Sequence, residues 1–505
     1  MIYSLILSLV LSASAEPSLR LEEPTGTVTL SEALSAALLG NPGLAAYAWE
    51  LRVTEALTLQ AGLRPNPESS FEVEGLRFRD APSSTTRSRA IGLEIDGMAL
   101  SPAWEIGRER GAGASGAFDD ADLRLALSQR IETGAKRARR VRLARAEEDL
   151  ARWDYEAARA DVLAETARRF IAVVVTQEQV ALATDLHRLA EAVRDAVAAQ
   201  VEAGKVAPLD LQRARTEADL AAIDMRTAQR LLDARRAALA ATWGATEARF
   251  ERADAVLDAP PPLPDLDSLR TGARAPSVPP ITDSSSHRGL NPDVARWRSE
   301  IARREAALAL ARAQRAPDLT VSLGLRVTPI GSERHSGIAW GSSGVAFTRE
   351  RTVYDRDADT TITLGVSVPL PLFDRNQGNI RAEEHRVAQA SAQERAARVD
   401  AAGGIASAHH EAAARRDEFT GLRDAVLPEL ERIRALTVEG YEAGKFGYLG
   451  LVGVERDLFA SRARALDALA AYHEAAITLE RLSGLAIVSE DSNNTLPSEE
   501  ASHAE

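Results

Sequence analysis

From Ala135 to Ala203 the chain runs without a proline, and Ala, Leu, Arg and Glu dominate the stretch. Read as one α-helix, these residues would span ~100 Å at 1.5 Å per residue. That demand favours an assembly of long helices over a compact α/β body. Leu182, Leu186, Leu189, Val193 and Val197 step by three or four, as a coiled-coil-like seam requires. A second run, roughly Arg375 to Tyr441, would also be ~100 Å long. It contains Gly403-Gly404 and Pro428, where a kink is expected. Each run ends in the same four residues, Glu202-Ala203-Gly204-Lys205 and Glu442-Ala443-Gly444-Lys445, at an offset of 240. Gly204 and Gly444 suit a left-handed cap. A return helix follows each turn, over 208–243 and 448–484, the first with an apolar stripe through Leu209, Leu220, Ile223 and Leu231.

Two further landmarks recur in the same order. Asn41-Pro42 returns as Asn291-Pro292 at an offset of 250, and Pro65 returns as Pro317 at 252. The ordered set predicts two structural repeats, 27–250 and 288–485. A Pro-rich connector joins them over 251–287. Each repeat opens with a helix, 30–62 and 292–314, whose proline sits near the start, where a missing N–H costs little. Strand-like segments come next. Leu319, Val321, Leu323, Leu325 and Val327 alternate with Thr320, Ser322, Gly324 and Arg326. Leu364, Val366, Val368 and Leu370 alternate in the same way, as do Leu123, Leu125 and Leu127. Segment 69–78 is weaker: Phe71 and Val73 share a parity that Leu76 and Phe78 break, consistent with a bulge near Gly75. The order in each repeat is therefore helix, strand, strand, long helix, turn, helix.

Composition narrows the function classes. With 74 acidic against 61 basic residues, the net charge is -13, which disfavours a nucleic-acid partner. The chain has no cysteine, so disulfides, thiolate metal sites, cysteine catalysis and a lipid on an N-terminal cysteine are excluded. Ile2–Leu11 is apolar and precedes Ala13-Ser14-Ala15, so residues 1–15 read as an export signal peptide, although no Lys or Arg leads the run. No later run of ~18 apolar residues suggests a transmembrane helix. The tail 486–505 is acidic and polar, with the composition of a disordered segment.

Apparent catalytic and binding motifs fall away on inspection. Gly111-Ala112-Gly113-Ala114-Ser115-Gly116 matches a dinucleotide pattern, but no apolar strand leads into it and Asp119, Asp120 and Asp122 follow where phosphate would sit. His409 and His410 are adjacent, so on a helix they point to different faces and share a metal poorly. His385 and His473 are isolated. The sequence offers no catalytic residues, no cofactor site and no metal site.

Strands with one apolar and one small or polar face fit a barrel wall between lipid and water. Four strands are too few to close, so closure needs several copies. Helices of ~100 Å would carry such a wall far from the membrane plane. A tube through the outer membrane and across the periplasm meets these demands. A soluble helical scaffold with a small antiparallel sheet is the other reading that the residues leave open.

The chain resembles the TolC-like outer-membrane factor family, nearest its heavy-metal efflux branch of CzcC-like and CusC-like proteins. The matching segments are Leu30-Ser31-Glu32-Ala33-Leu34 through Asn41-Pro42, Ala61 to Pro67, Leu127-Ser128-Gln129 and Gly134 to Arg140. In repeat two they are Asn291-Pro292 and Val368 to Gly378, together with both Glu-Ala-Gly-Lys turns. Each motif is weak alone; their order and spacing over residues 27–485 are specific. The resemblance implies a mainly α fold with a membrane β-barrel part. Long antiparallel helices would form an α-helical barrel, and four strands per subunit would be completed as a trimeric twelve-stranded β-barrel. It implies a homotrimer in the cell outer membrane, extending into the periplasm, in contact with outer-membrane lipid. Its partners would be a periplasmic adaptor (membrane fusion protein) and an inner-membrane RND pump. The tip and adaptor contact would be Glu202, Gly204, Lys205, Glu442, Gly444 and Lys445, with Asp210 and Glu439 as gate candidates. The chain departs from the family pattern in its long segments 79–120 and 328–360, which suit loops facing the cell exterior.

The expected function is a passive conduit of a tripartite efflux system, not an enzyme, with heavy-metal cations as cargo. Drug efflux or a type I secretion outlet is the alternative within the class. A periplasmic coiled-coil adaptor or scaffold is the alternative outside it, although lipoyl-like β motifs are not seen.

Overall fold

The structure is a computed structural model that describes residues 23–74, 94–95, 98–99, 122–255, 260, 263–269, 291–330, 339–341, 344–346, 357–443, 445 and 447–484. The export segment 1–15, the bulge at Gly75, the Gly111–Gly116 motif, Gly444 and the tail 486–505 lie outside the described residues, as do most of 79–120 and of the connector.

Two compact units divide the chain, and each draws on both sequence repeats. The helical unit comprises residues up to Ala61, Arg140–Ala309 and Gly378 onward. The sheet unit comprises Gly62–Arg139 and Leu310–Gln377.

The elements follow in order: β1 (Gly26–Thr29), α1 (Leu30–Gly40), α2 (Pro42–Ala61), β2 (Glu68–Glu74), β3 (Asp122–Ile131), α3 (Lys136–Glu202), α4 (Pro208–Ala240) and β4 (Phe250–Asp254). Repeat two supplies α5 (Pro292–Ala313), β5 (Leu319–Ile330), β6 (Asp357–Ser367), α6 (Gln377–Gly421), α7 (Leu427–Glu442) and α8 (Tyr448–Ser483). Two short hairpin ribbons, at 94–99 and 339–346, complete the described strands.

The repeat is visible in backbone detail. Ala135 and Asn376 both adopt the left-handed region, at φ 56° and 58°, immediately before α3 and α6 begin. Asn41 and Asn291 both lead into a helix that starts at proline: Asn41 Oδ1 accepts from the Leu44 N–H at 2.9 Å and Asn291 Oδ1 from the Asp293 N–H at 2.9 Å. Asn41 also explains why the single helix expected over 30–62 is two. It takes an extended conformation (φ −68°, ψ 116°), closes α1 and caps α2, while its Nδ2 donates to the Thr242 carbonyl at 2.8 Å. Thr29 starts α1 with a reciprocal capping box to Glu32.

The kink expected in the second long helix is relocated. α6 passes through Gly403-Gly404 unbroken. Gly404 instead permits a close helix approach, since a Cβ there would stand 3.0 Å from Leu482 Cδ1. The irregularity lies at Leu422–Val426, a π-helical turn in which the Leu427 N–H donates to the Leu422 carbonyl. Pro428 has no N–H to offer, so the normal ladder cannot continue through it.

A small parallel pair, β1 with β4, was not foreseen. It seats Val28, Phe250 and Ala253 in a core with Ala33, Phe170, Val173, Leu239 and Trp243. Leu269, from the described part of the connector, is fully buried against Ile405, Tyr472 and Leu479. The apolar stripe of α4 does not pack within the single chain. Leu209, Leu220, Ile223 and Leu231 are exposed in the single chain, and α4 buries Ala214, Ala218, Ala221, Leu232 and Leu239 instead. Alanines let helices approach closely, which leaves the larger apolar groups outside.

In the sheet unit, β2, β3, β5 and β6 form one antiparallel sheet in that order. The third and fourth strands are longer at their loop ends than the alternation indicates: β5 runs to Ile330 and β6 starts at Asp357. β6 stops at Ser367, before the expected Val368 and Leu370, because Pro369 cannot donate to a ladder.

Candidate functional site

The helical turns come first. α3 ends in a Schellman motif. Gly204, at φ 68°, donates its N–H to the Val201 carbonyl at 3.0 Å, and Lys205 donates to the Gln200 carbonyl at 2.9 Å. Glu202 and Lys205 are exposed on either side. The second turn has the same six-to-one bond: the Lys445 N–H donates to the Gly440 carbonyl at 2.7 Å. Gly444 and the Glu442 side chain lie outside the described residues.

The gate candidates are not repeat mates and are not paired with each other. Asp210 lies in the first turn of α4, where the helix N-terminus favours a negative charge, and its carboxylate meets Arg213 at 3.6 Å. The matching position in repeat two is Gly450. Glu439 is exposed, and its carbonyl accepts the Ala443 N–H at 3.0 Å.

Sequence reasoning marked Val193 and Val197 as part of a seam but missed the partners that join the two hairpins there. Val197 and Ala214 are buried with Val193, Val201 and Leu211 from the first hairpin and Tyr441 and Val452 from the second. Gln200 Nε2 donates to Tyr441 Oη at 3.2 Å. Arg456 of α8 pairs with Glu217 of α4. Within the second hairpin, Arg434 of α7 reaches Glu455 of α8 at 2.6 Å, and Glu455 is 5% exposed. One signal was available: Tyr441 stands where repeat one has Val201, a hydroxyl at an otherwise apolar position.

In the sheet unit, register sorts side chains into two faces. Phe71, Leu125, Leu325 and Ile362 form one cross-strand row, and Leu127, Leu323 and Leu364 align in the next. These residues are exposed, Phe71 and Leu364 by 70% and 73%. The opposite face carries Glu72, Arg124, Arg326 and Thr361 in one row and Ser70, Ala126, Gly324 and Thr363 in another. Arg124 bridges to Glu74 at 2.8 Å, and Arg326 pairs with Asp122. Within the chain, β2 and β6 each pair along one edge only among the described residues. A sheet with an exposed apolar face, a charged face and two edges unpaired among the described residues suits a segment of a barrel wall.

At the foot of the sheet, Asp318 anchors the approach to α3. Its Oδ1 accepts from Lys136 Nζ at 2.6 Å and from the Thr133 N–H at 3.2 Å. Burial raises the Asp318 pKa, but these two donors outweigh it and hold the carboxyl below its ordinary value.

Nothing in the described residues resembles a reaction centre. No group of three or more His, Asp or Glu that could hold a metal occurs among them. The His409 and His410 rings stand at 83° with centroids 5.8 Å apart, and His409 Nε2 faces the Pro264 carbonyl at 3.1 Å. Burial alone lowers the His473 pKa. No described helix is long and apolar enough to cross a membrane.

Comparison with known proteins places this geometry. The model of the family described as outer membrane efflux protein matches residues 33–245 and 284–485. The cobalt-zinc-cadmium resistance protein CzcC of Cupriavidus metallidurans is 30% identical over 463 residues, covering 92% of this chain and 91% of that protein. Among solved structures, CusC superposes with a TM-score of 0.62 at 16% identity, over 93% of this chain and 98% of that one. The Campylobacter jejuni CmeC outer membrane channel superposes with a TM-score of 0.62 at 14% identity, over 94% and 92%.

Proposed function

The chain belongs to the outer membrane efflux protein family, a family of channels and not of enzymes, and on that premise we propose that it is one subunit of a homotrimeric conduit. Three copies of the four-stranded sheet would close a twelve-stranded barrel in the outer membrane, each β6 edge pairing with the β2 edge of the next copy. One observation carries this reading: the apolar rows through Phe71, Leu125, Leu325 and Ile362 are exposed in the single chain, while the charged rows lie on the other face. Lipid would cover the first face and water the second.

The exposed apolar residues of α4 and of α2 (Leu209, Leu220, Ile223, Trp49, Val53 and Leu57) would be covered by neighbouring copies of the helical unit. α3 has 67 residues and a length of ~100 Å, the reach that a periplasmic tunnel needs. The turns at Glu202–Lys205 and Glu442–Lys445 would meet a periplasmic adaptor, with Asp210 and Glu439 near the gate. The Gln200–Tyr441 bond and the Arg456–Glu217 pair would hold the two hairpins together there. Transport would be passive through this subunit, with the driving energy supplied by an inner-membrane RND pump.

Heavy-metal cations are the proposed cargo, supported by the resistance named for the Cupriavidus relative. Deleting the gene and plating on cobalt, zinc and cadmium salts tests it. Sensitivity to these cations that the gene in trans reverses is the expected result. Unchanged metal tolerance with new sensitivity to hydrophobic drugs would move the cargo to drugs.

A further inference from the structure

Where the sheet meets the segments leading into α3 and α6, the sheet unit holds a cleft of ≈ 660 Å³. Gly134, Arg139, Arg312, Ala313, Arg315, Ala316, Pro371 and Arg375 line it. Four of these eight residues are arginines, none is a carboxylate, and the chain as a whole carries a net charge of -13. A guanidinium stays charged at any physiological pH and carries several N–H donors, so this lining offers an anion fixed hydrogen-bond donors. The backbone is arranged to make the cleft. Gly134, at φ 65°, lies so close to the α5 end that a Cβ would stand 3.0 Å from Ala316 Cβ and 3.1 Å from the Ala313 carbonyl oxygen. Arg139 Nε is buried and meets no hydrogen-bond partner among the described residues. Arg375 Nε donates to the Pro371 carbonyl at 3.3 Å.

The surroundings identify the anion. The cleft sits beyond the ends of β3 and β6 and before the start of β5, at the foot of the sheet. The segment between β6 and Arg375 exposes Leu370, Leu372 and Phe373, the last by 90%. Guanidinium groups beside exposed apolar side chains match a molecule with an anionic head and an apolar body. Arginine donors suit phosphate oxygens in particular, because the planar fork can engage two of them at once. We propose that this cleft binds the phosphodiester headgroup of an anionic phospholipid at the periplasmic foot of the barrel. The inference rests on the barrel reading above for the presence of lipid at this level.

Native mass spectrometry of the purified full-length protein in non-ionic detergent tests it, with phosphatidylglycerol and phosphatidylcholine titrated separately. Phosphatidylglycerol is expected to bind about tenfold more tightly. The Arg312→Gln/Arg315→Gln double variant should bring the two lipids to within about twofold while its oligomeric mass is unchanged. A single Arg139→Gln variant should give an intermediate loss, which keeps the test alive should the double variant fold poorly. Millimolar inorganic phosphate distinguishes the sources: lipid retained in its presence identifies a bilayer headgroup, and lipid displaced by it identifies a site for free phosphate. Equal binding of the two lipids to the wild type, or a preference that survives in both variants, would overturn the proposal. Loss of the trimer would contradict the barrel reading instead, and the mass spectrum reports it separately from lipid preference.

Discussion

Gln200 and Tyr441 stand within one residue of equivalent positions in the two repeats, and a 3.2 Å hydrogen bond from Gln200 Nε2 to Tyr441 Oη ties one helical hairpin to the other. Around that bond the contact is thin, with Val197 and Ala214 as the buried centre. If the hairpins part when the channel opens, this bond exists in the closed state alone. One such bond is worth about 0.5–1.5 kcal/mol. Tyr441→Phe should therefore raise the open-to-closed ratio by roughly two- to tenfold. Single-channel conductance in planar bilayers measures it, and an open probability equal to wild type would show that the bond does not gate.

The dry face of the sheet makes a position-specific prediction. Leu125 and Ala126 are neighbours in β3 whose side chains point to opposite faces. Leu125→Arg should place a charge toward lipid and cost about 2–4 kcal/mol near the bilayer midplane. Ala126→Arg faces the charged side and should cost far less. The amount of each variant recovered in the outer-membrane fraction is the measurement. Equal recovery would contradict the assignment of faces.

Acid stability follows from Glu300. It is 8% exposed in α5 and bonds Arg303 and Arg304 at 2.8 and 2.7 Å. Burial raises its pKa, but the two guanidinium groups outweigh burial and leave the carboxyl below its ordinary value. A carboxyl depressed in the folded state adds stability above its unfolded pKa, and that stability is lost as pH falls through the folded value. Glu300→Gln should lower the melting temperature at neutral pH, by the equivalent of about 1–2 kcal/mol. The gap to wild type should close below pH ~4. Thermal unfolding across pH measures both, and a gap that persists in acid would rule out this origin.

Much of the architecture was written in periodicity and punctuation. Alternation at Leu319–Val327 gave a strand, Asn291-Pro292 gave a helix start, and Gly204 gave a left-handed helix cap, each because a local rule decides the outcome, whereas the break at Asn41 inside the helix expected over 30–62 was not read. What the sequence hid was set by distant partners. The β1–β4 pair joins residues more than two hundred positions apart. The α4 stripe is legible as apolar but not as outward-facing, because alanine packing against α3 and the rest of the helical unit decides which side is buried. Pro428 was rightly marked as a disturbance, whereas Gly403-Gly404 was not one, since a glycine pair inside a packed helix can serve close approach. At the turns, acidic Asp210 and Glu439 stood out by charge. The Gln200–Tyr441 bond left only the hydroxyl of Tyr441 at the position of Val201 as a signal, and its partner is set only when the hairpins are side by side.

Barrel closure by three copies is the central claim, and a chain without cysteine allows a clean test. One cysteine would be placed on the β2 edge, as Ser70→Cys, and a second on the β6 edge, as Asp359→Cys, Thr361→Cys or Thr363→Cys in turn. Oxidation of outer membranes followed by non-reducing electrophoresis reads the result. The account predicts that at least one pairing gives a ladder ending at the trimer, with each single variant staying monomeric on the gel. Monomers for every pairing, from protein that is present in the membrane, would contradict it.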